Sequence, residues 1–157
     1  MINTNMSDLV HRLWTNNWLN FRNAADTVCF RPNSPKLYIA FEIADTVINT
    51  QGVAYSEAIK VLDYMYHSKV CHTLVCTFLD ENYLKALVKA TGLKYDWYNN
   101  NQHFYGAKPY YDILIDSRAG FRPAEWVYVY DMYKLAEKLI DDSSTINHKS
   151  VFNKDKI

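Results

Sequence analysis

Five polar side chains stand at the ends of apolar runs in the sequence, where they could form a binding or catalytic site. They are carboxylates and hydroxyls: Glu42, Asp45, Thr46, Thr77 and Asp116. In open α/β sheets, ligands bind in the crevice outside the carboxyl ends of the strands. These groups therefore predict a site if the apolar runs are strands. The alternative for residues 42–46 is an ordinary polar turn that closes a strand.

The apolar runs have the length and composition of buried strands, with aromatic and β-branched members that suit coverage on both faces. There are three of them: 37–41, 70–77 and 111–116. Between the runs, Ser56 is expected to begin one helix, while Asp80 and Gly92 are expected to begin and end another. Strands that alternate with helices predict an α/β fold, with a mostly parallel sheet flanked by helices.

The two ends of the chain lie outside this alternation. Helical spacing of apolar residues over 7–23 predicts an N-terminal helix that carries Trp14 and Trp18, which either fill a core or bind a partner. Near the other end, 127–130 is expected to form a strand and 131–140 a closing helix. The predicted organisation is an N-terminal helical extension over 1–36, an α/β domain over 37–142 and a loose polar tail over 143–157.

Composition narrows the class of protein. The chain has 157 residues, which suits one domain, and its 49% hydrophobic content can fill a core. The net charge is zero, with an acidic middle and mildly basic ends, which gives no electrostatic argument for nucleic-acid binding. Three cysteines do not make a disulfide framework and favour a reducing, cytoplasmic setting. Because no apolar run could span a membrane, we expect a soluble protein without a membrane partner.

The order of these features resembles the four motifs of the haloacid-dehalogenase-like (HAD) phosphohydrolases. The matching features are an apolar strand ending in acid-x-x-Asp-Thr at 42–46, a strand ending in Thr77, a Lys108-Pro109 pair and a strand ending in Asp116. The stretch 113–123 looks especially like small phosphatase-type members, which are often of phage or bacterial origin. The resemblance covers residues 37–126 and implies a three-layer, Rossmann-like HAD fold.

The resemblance also implies roles for single residues. In the family, one aspartate of the first motif attacks phosphorus and a second, two residues later, is the general acid and base. Glu42 falls at the nucleophile position and Ala44 at the general acid position. Asp116 would join Glu42 in a weak Mg²⁺ site, and Ser117 stands where a second acid is frequent. The residues implied to contact phosphate are Thr46, Thr77 and Lys108.

The departures from the family pattern predict little or no turnover. Ala44 has no proton to transfer, and the loss of a positioned acid or base costs roughly 10²–10⁴-fold in rate. The extra methylene of Glu42 moves its carboxylate by about an ångström, which can cost on the order of 10²-fold. Asp45 is the candidate substitute acid. Because Ser117 replaces an acid, we expect either no cofactor or weakly bound Mg²⁺.

Two function classes follow. The first is a degenerate HAD-like domain, a pseudophosphatase, that binds a macromolecule through Trp14 and Trp18, a Tyr/Asn-rich loop or the basic tail. A protein partner is favoured, and nucleic acid is the second choice. The second class is a Mg²⁺-dependent phosphatase for nucleotides or polynucleotide ends. A third interpretation is another three-layer α/β domain in which the motif match is accidental.

The setting of such a protein can also be predicted. Only about thirty residues separate Thr46 from Thr77, and again Thr77 from Lys108, and the crossover helices use most of them, so no large cap domain fits in either place. Capless members of the family tend to act on macromolecules. A high content of Asn, Lys and Tyr is typical of an AT-rich coding genome such as that of a phage. There, a repurposed domain of this kind could regulate host machinery, for example transcription.

Overall fold

The computed structural model of the chain describes residues 20–30, 36–98 and 111–152. The α/β prediction is confirmed, because a four-stranded parallel sheet is flanked by helices. The strands are β1 (Leu37–Phe41), β2 (Cys71–Val75), β3 (Trp97–Tyr98) and β4 (Ile113–Ile115). The described helices are α1 (residues 20–29), α2 (Ser56–His67), α3 (Glu81–Thr91) and α4 (Trp126–Phe152), with 3₁₀ turns at Ser117–Ala119 and Pro123–Glu125.

The order of the strands across the sheet is β3-β2-β1-β4, and all neighbours are parallel. Phe41 at the end of β1 lies opposite Val75 in β2 and Ile115 in β4. The three strands therefore end at one level. The polar residues that follow them emerge at the same edge of the sheet.

Local signals predicted the start of α2 and both ends of α3 correctly. Helix α2 begins at Ser56, as predicted. The Asp80 carboxylate accepts a hydrogen bond from the Tyr83 N–H at 2.9 Å and so caps α3. Gly92 ends α3 in the left-handed conformation with φ of 72°, which glycine adopts without strain.

The C-terminal prediction was wrong in two places. Residues 127–130, expected to form a strand, belong to α4. Pro123 lies in the turn before the helix, and the Glu125 carboxylate accepts from the Arg122 N–H at 3.1 Å, so a capped turn leads directly into α4. The helix continues to Phe152, so residues 143–152 are helical rather than a loose tail. Buried residues recur along the helix at spacings of three and four at Trp126, Val129, Tyr133, Ala136 and Ile140, and Met132 is buried beside Tyr133.

The described residues fall into two compact units. Residues 36–130 form one unit, which contains the whole sheet, and residues 20–30 and 131–152 belong to the other. The core of the sheet unit includes Leu37, Ile39, Phe41, Leu62 and Met65, all fully buried. Within the described ranges, every helix is too short or too polar to cross a membrane.

Candidate functional site

The carboxyl ends of β1 and β4 form the centre of the candidate site. The chain continues from β1 to β2 and β3 on one side, whereas β4 lies on the other side of β1. The strand order therefore reverses at β1, and ligands of open α/β sheets bind at such switch points. Glu42 follows β1 and Asp116 follows β4, and the Glu42 N–H donates to the Ile115 carbonyl at 3.0 Å. The two acids stand at neighbouring strand ends.

Both carboxylate oxygens of Glu42 are already engaged. The side chain is only 3% exposed. Its Oε1 accepts a hydrogen bond from the Ile43 N–H at 2.7 Å, and its Oε2 accepts one from Arg118 Nη2 at 2.9 Å. A buried carboxylate needs a paired opposite charge, and Arg118 supplies it.

The Arg118 guanidinium is held from three directions. Besides its bond to Glu42, its Nε lies 3.7 Å from Asp116 Oδ1, and its central carbon lies 4.7 Å from the centre of the Phe78 ring. The Arg118 side chain is 60% exposed, so it covers the buried carboxylate from the solvent side. An aromatic ring attracts a guanidinium through its negative face, which adds to the two ion pairs.

The turn after β4 positions Arg118. The Asp116 side chain accepts a hydrogen bond from the Arg118 N–H at 2.8 Å and caps the 3₁₀ turn Ser117–Ala119. Gly120 ends this turn at φ of 97°, a conformation that side chains other than glycine rarely adopt. The tight turn brings Arg118 back toward the end of β1, where it meets Glu42.

These residues do not fit the Mg²⁺ site that the family resemblance implied. The Arg118 guanidinium contacts both Glu42 and Asp116, the two acids expected to bind the metal. Mg²⁺ needs an octahedron of oxygen ligands, and it would be repelled by a guanidinium in contact with the same oxygens. Across 20–30, 36–98 and 111–152, no three His, Cys, Asp or Glu side chains come together as a metal-binding group.

Thr46 fastens the site to its surroundings. Its buried hydroxyl accepts a hydrogen bond from the Ser117 N–H at 3.0 Å and donates one to the Ala44 carbonyl at 3.3 Å. Its own carbonyl accepts a bond from the Trp126 indole N–H at 2.8 Å. The loop after β1 is thereby tied to the turn after β4 and to the start of α4. A phosphate contact by Thr46 stays a prediction.

A cavity of about 260 Å³ lies beside the ion pair. Five polar or charged residues line it: Glu42, Asp45, Thr77, Ser117 and Arg118. The Thr77 hydroxyl also accepts from the Leu79 N–H at 3.2 Å, which fixes its position. The structure thus brings Glu42, Asp45 and Thr77 together. The predicted Lys108, Trp14 and Trp18 lie outside the described residues.

Asp45, the expected substitute acid, lies on the border of two hollows. It lines the cavity beside Glu42 and a second one of about 310 Å³, which also touches Gly52 and Tyr83. Its backbone adopts φ of 57°, in the left-handed region that aspartate tolerates better than most residues. Ala44 beside it is exposed and carries no group that could exchange a proton.

The pKa of the Cys76 thiol is shifted by its surroundings at the end of β2. Burial, followed by the negative charges of Glu42 and Asp116, raises the pKa of the Cys76 thiol to about 11. The thiol is therefore protonated at neutral pH, and only the thiolate is a good nucleophile. The raised pKa of Cys76 reflects its burial first and the two nearby carboxylates second, and it disfavours the thiolate that nucleophilic catalysis would need.

Sequence reasoning missed Arg118 and Phe78. Arg118 stands two residues after the acid that ends β4, and a search for the partner of a buried Glu42 could have found it. Nothing in the sequence distinguishes Phe78 from a core residue, because its 87% exposure follows from the tertiary fold.

Comparisons with known proteins support the fold. No protein-family model matches the chain, and no curated protein matches it. The chain is similar to a solved structure described as the conserved protein coded by locus from Bacteroides thetaiotaomicron, with a TM-score of 0.52 and 21% sequence identity. The match covers 63% of this chain and 90% of that one. At this level of identity, the similarity concerns the α/β fold alone.

Proposed function

We propose that this protein is a degenerate HAD-like domain that acts by binding a protein partner at the strand-end cleft, without turning over a phosphate ester. The observation that carries the proposal is the 2.9 Å ion pair between Glu42 and Arg118. Glu42 is the residue that the family resemblance places at the position of the nucleophile. The cleft keeps the shape of a site at a strand switch point but lacks the free groups that turnover requires.

The chemistry of the ion pair argues against phosphatase activity. A nucleophilic carboxylate needs a free oxygen that can approach phosphorus, and both Glu42 oxygens accept short hydrogen bonds. Ala44 cannot protonate a leaving group, and a missing general acid costs roughly 10²–10⁴-fold in rate. Attack on phosphorus and protonation of the leaving group belong to the same phosphoryl-transfer step, and both are impaired, so residual turnover is expected to be negligible.

The surroundings of the cleft favour a macromolecular partner. The loop between β1 and α2 and the loop between β2 and α3 are too short to carry a lid domain. Phe78 is 87% exposed at the rim and packs against Arg118. Aromatic residues and arginine are the residue types that most often dominate binding energy at protein interfaces.

The charges near the cleft favour protein over nucleic acid. Glu42 and Asp45 line it and Asp116 adjoins it, whereas Arg118 is the one cation among the described lining residues. An excess of carboxylates repels a phosphate backbone. Nucleic acid is therefore a weaker candidate for the partner than protein.

The catalytic half of the proposal is tested by Mg²⁺-dependent phosphate release from an aryl phosphate and from 3′- and 5′-phosphorylated oligonucleotides. We expect the wild-type protein to release no more phosphate than Glu42→Gln. Glu57→Gln, which changes a half-exposed glutamate on α2, is the matched control. Mg²⁺-dependent release by the wild-type protein that Glu42→Gln abolishes and Glu57→Gln preserves would establish a phosphatase and overturn the proposal.

A restored variant tests the HAD resemblance itself. Glu42→Asp, Ala44→Asp and Arg118→Ala together supply the missing acids and remove the competing cation. Phosphate release by this triple variant, with a silent wild-type protein, is the expected result. A folded triple variant that is equally silent would count against the motif alignment.

The binding half is tested by photo-crosslinking. A benzophenone amino acid in place of Phe78 should give a discrete covalent adduct with a protein in the cells that make this chain. Phe30 is the control position, because its 88% exposure matches that of Phe78. The same adducts from both positions would show that the cleft is not the contact surface.

A further inference from the structure

The Arg118 guanidinium stands where the family resemblance places a metal ion. Its Nη2 lies 2.9 Å from Glu42 Oε2 and its Nε lies 3.7 Å from Asp116 Oδ1. We infer that Arg118 is a built-in replacement for a divalent cation, so that the cleft recognises its partner without metal. The inference deepens the proposed function and rests on it for the claim that the cleft binds.

The burial of Glu42 gives the first argument. A carboxylate that is 3% exposed must keep a positive partner in order to stay charged at low energetic cost. A bound metal ion provides that charge only when its concentration exceeds its dissociation constant. An arginine side chain is charged at every physiological pH and is present in every copy of the protein. The site therefore needs no metal in order to be electrostatically complete.

The anchoring of Arg118 gives the second argument. A metal ion that entered between Glu42 and Asp116 would have to expel a guanidinium that is also packed on the Phe78 ring at 4.7 Å. The hydrogen bond from the Arg118 N–H to Asp116 fixes the turn from which the side chain extends. Displacement would break these contacts and would leave two positive groups competing for the same oxygens.

The donor set gives the third argument. Ser117 adjoins Asp116 at the position of a further acid in the resemblance, and it offers a hydroxyl in place of a carboxylate. Glu42 also has one oxygen bound to the Ile43 N–H. The oxygens left for Mg²⁺ or Mn²⁺ are then Glu42 Oε2 and Asp116 Oδ1, and the Arg118 guanidinium is in contact with both. With Arg118 in place, the described residues offer a cation site that is already satisfied.

Mn²⁺ binding provides a direct test that does not depend on activity. Calorimetry measures the binding of Mn²⁺, up to millimolar concentration, to four proteins. They are the wild-type protein, Asp116→Asn, Arg118→Ala and the double variant Arg118→Ala/Asp116→Asn. We expect no difference between wild type and Asp116→Asn. Arg118→Ala should bind one Mn²⁺ and gain a few degrees of Tm in its presence, and the second substitution should abolish both effects. Arg22→Ala, which removes an exposed arginine from α1, should behave as wild type.

Two results would overturn the inference. One is Mn²⁺ binding by the wild-type protein that Asp116→Asn removes, a comparison that does not require the Arg118→Ala variant to fold. The other is a folded Arg118→Ala variant that binds no Mn²⁺. Failure of this inference can be told apart from failure of the proposed function. Mn²⁺ binding by the wild-type protein without phosphate release would refute only the replacement of the metal by Arg118. Phosphate release that depends on Glu42 would refute the proposed function.

Discussion

Breaking the ion pair between Glu42 and Arg118 should destabilise the sheet unit measurably. Exposed ion pairs contribute about 0.2–1 kcal/mol, whereas removing one partner of a fully buried pair costs about 3–5 kcal/mol. This pair lies between those limits, because Glu42 is 3% exposed and Arg118 is 60% exposed. We therefore expect Arg118→Ala to lower the free energy of unfolding by about 1–3 kcal/mol, since it leaves a buried carboxylate with one hydrogen bond.

A double-mutant cycle isolates the pair from other effects of the substitutions. Urea denaturation of wild type, Glu42→Gln, Arg118→Ala and the double variant should give a coupling energy of about 1–2 kcal/mol. The exposed pair Glu81 and Lys85 on α3, with Nζ and Oε1 3.0 Å apart, is the internal control and should couple by about 0.3–0.5 kcal/mol. A coupling energy for Glu42 and Arg118 no larger than that of the control pair would refute the reasoning.

Three further predictions concern single side chains. Burial and nearby carboxylates raise the pKa of Cys76 from 9.0 to about 11, which lowers the fraction of thiolate at neutral pH about 10²-fold. Iodoacetamide should therefore alkylate Cys76 roughly 10- to 100-fold more slowly than it alkylates an unstructured cysteine peptide. Peptide mass spectrometry should show faster alkylation in Glu42→Gln, and equal rates would contradict the electrostatic contribution. The pKa of His72 is lowered in the folded protein, mainly by burial. As the pH falls through 6.5, the unfolded chain therefore takes up a proton at this histidine before the folded chain does. The free energy of unfolding should therefore decrease in that range, less steeply for His72→Gln in urea titrations, whereas parallel curves would exclude this role. Trp126→Phe removes the buried N–H that donates to the Thr46 carbonyl and should cost about 1–3 kcal/mol of unfolding free energy, and a loss under about 0.5 kcal/mol would show that the bond is dispensable.

Elements that depend on local signals could be predicted from the sequence. The five apolar residues of Leu37–Phe41 form β1 with the predicted bounds, because a continuous apolar run is buried on both faces. The cap at Asp80 and the stop at Gly92 also depend on neighbouring residues alone. The predicted runs 70–77 and 111–116 contain β2 and β4, which are shorter and end at Val75 and Ile115, and the residues that follow the strands lie at one edge of the sheet.

Features that depend on distant residues could not be predicted in this way. The alternation of valine and tyrosine over 127–130 is typical of a strand, yet the capped turn before Trp126 and the spacing of later buried residues make it helical. The partnership of Arg118 with Glu42 requires β4 to lie beside β1, and no local pattern reveals that strand order. Once β4 is known to lie beside β1, the turn after β4 is the expected source of a cation that pairs with the buried Glu42.

The most direct test of the metal-free cleft is a crystal structure of the wild-type protein soaked in Mn²⁺, with anomalous diffraction data collected at the manganese edge. We expect no anomalous peak at the ends of β1 and β4, and density for the Arg118 guanidinium against Glu42 Oε2. An anomalous peak between Glu42 and Asp116, with Arg118 swung into solvent, would contradict the assignment of Arg118 as the resident cation.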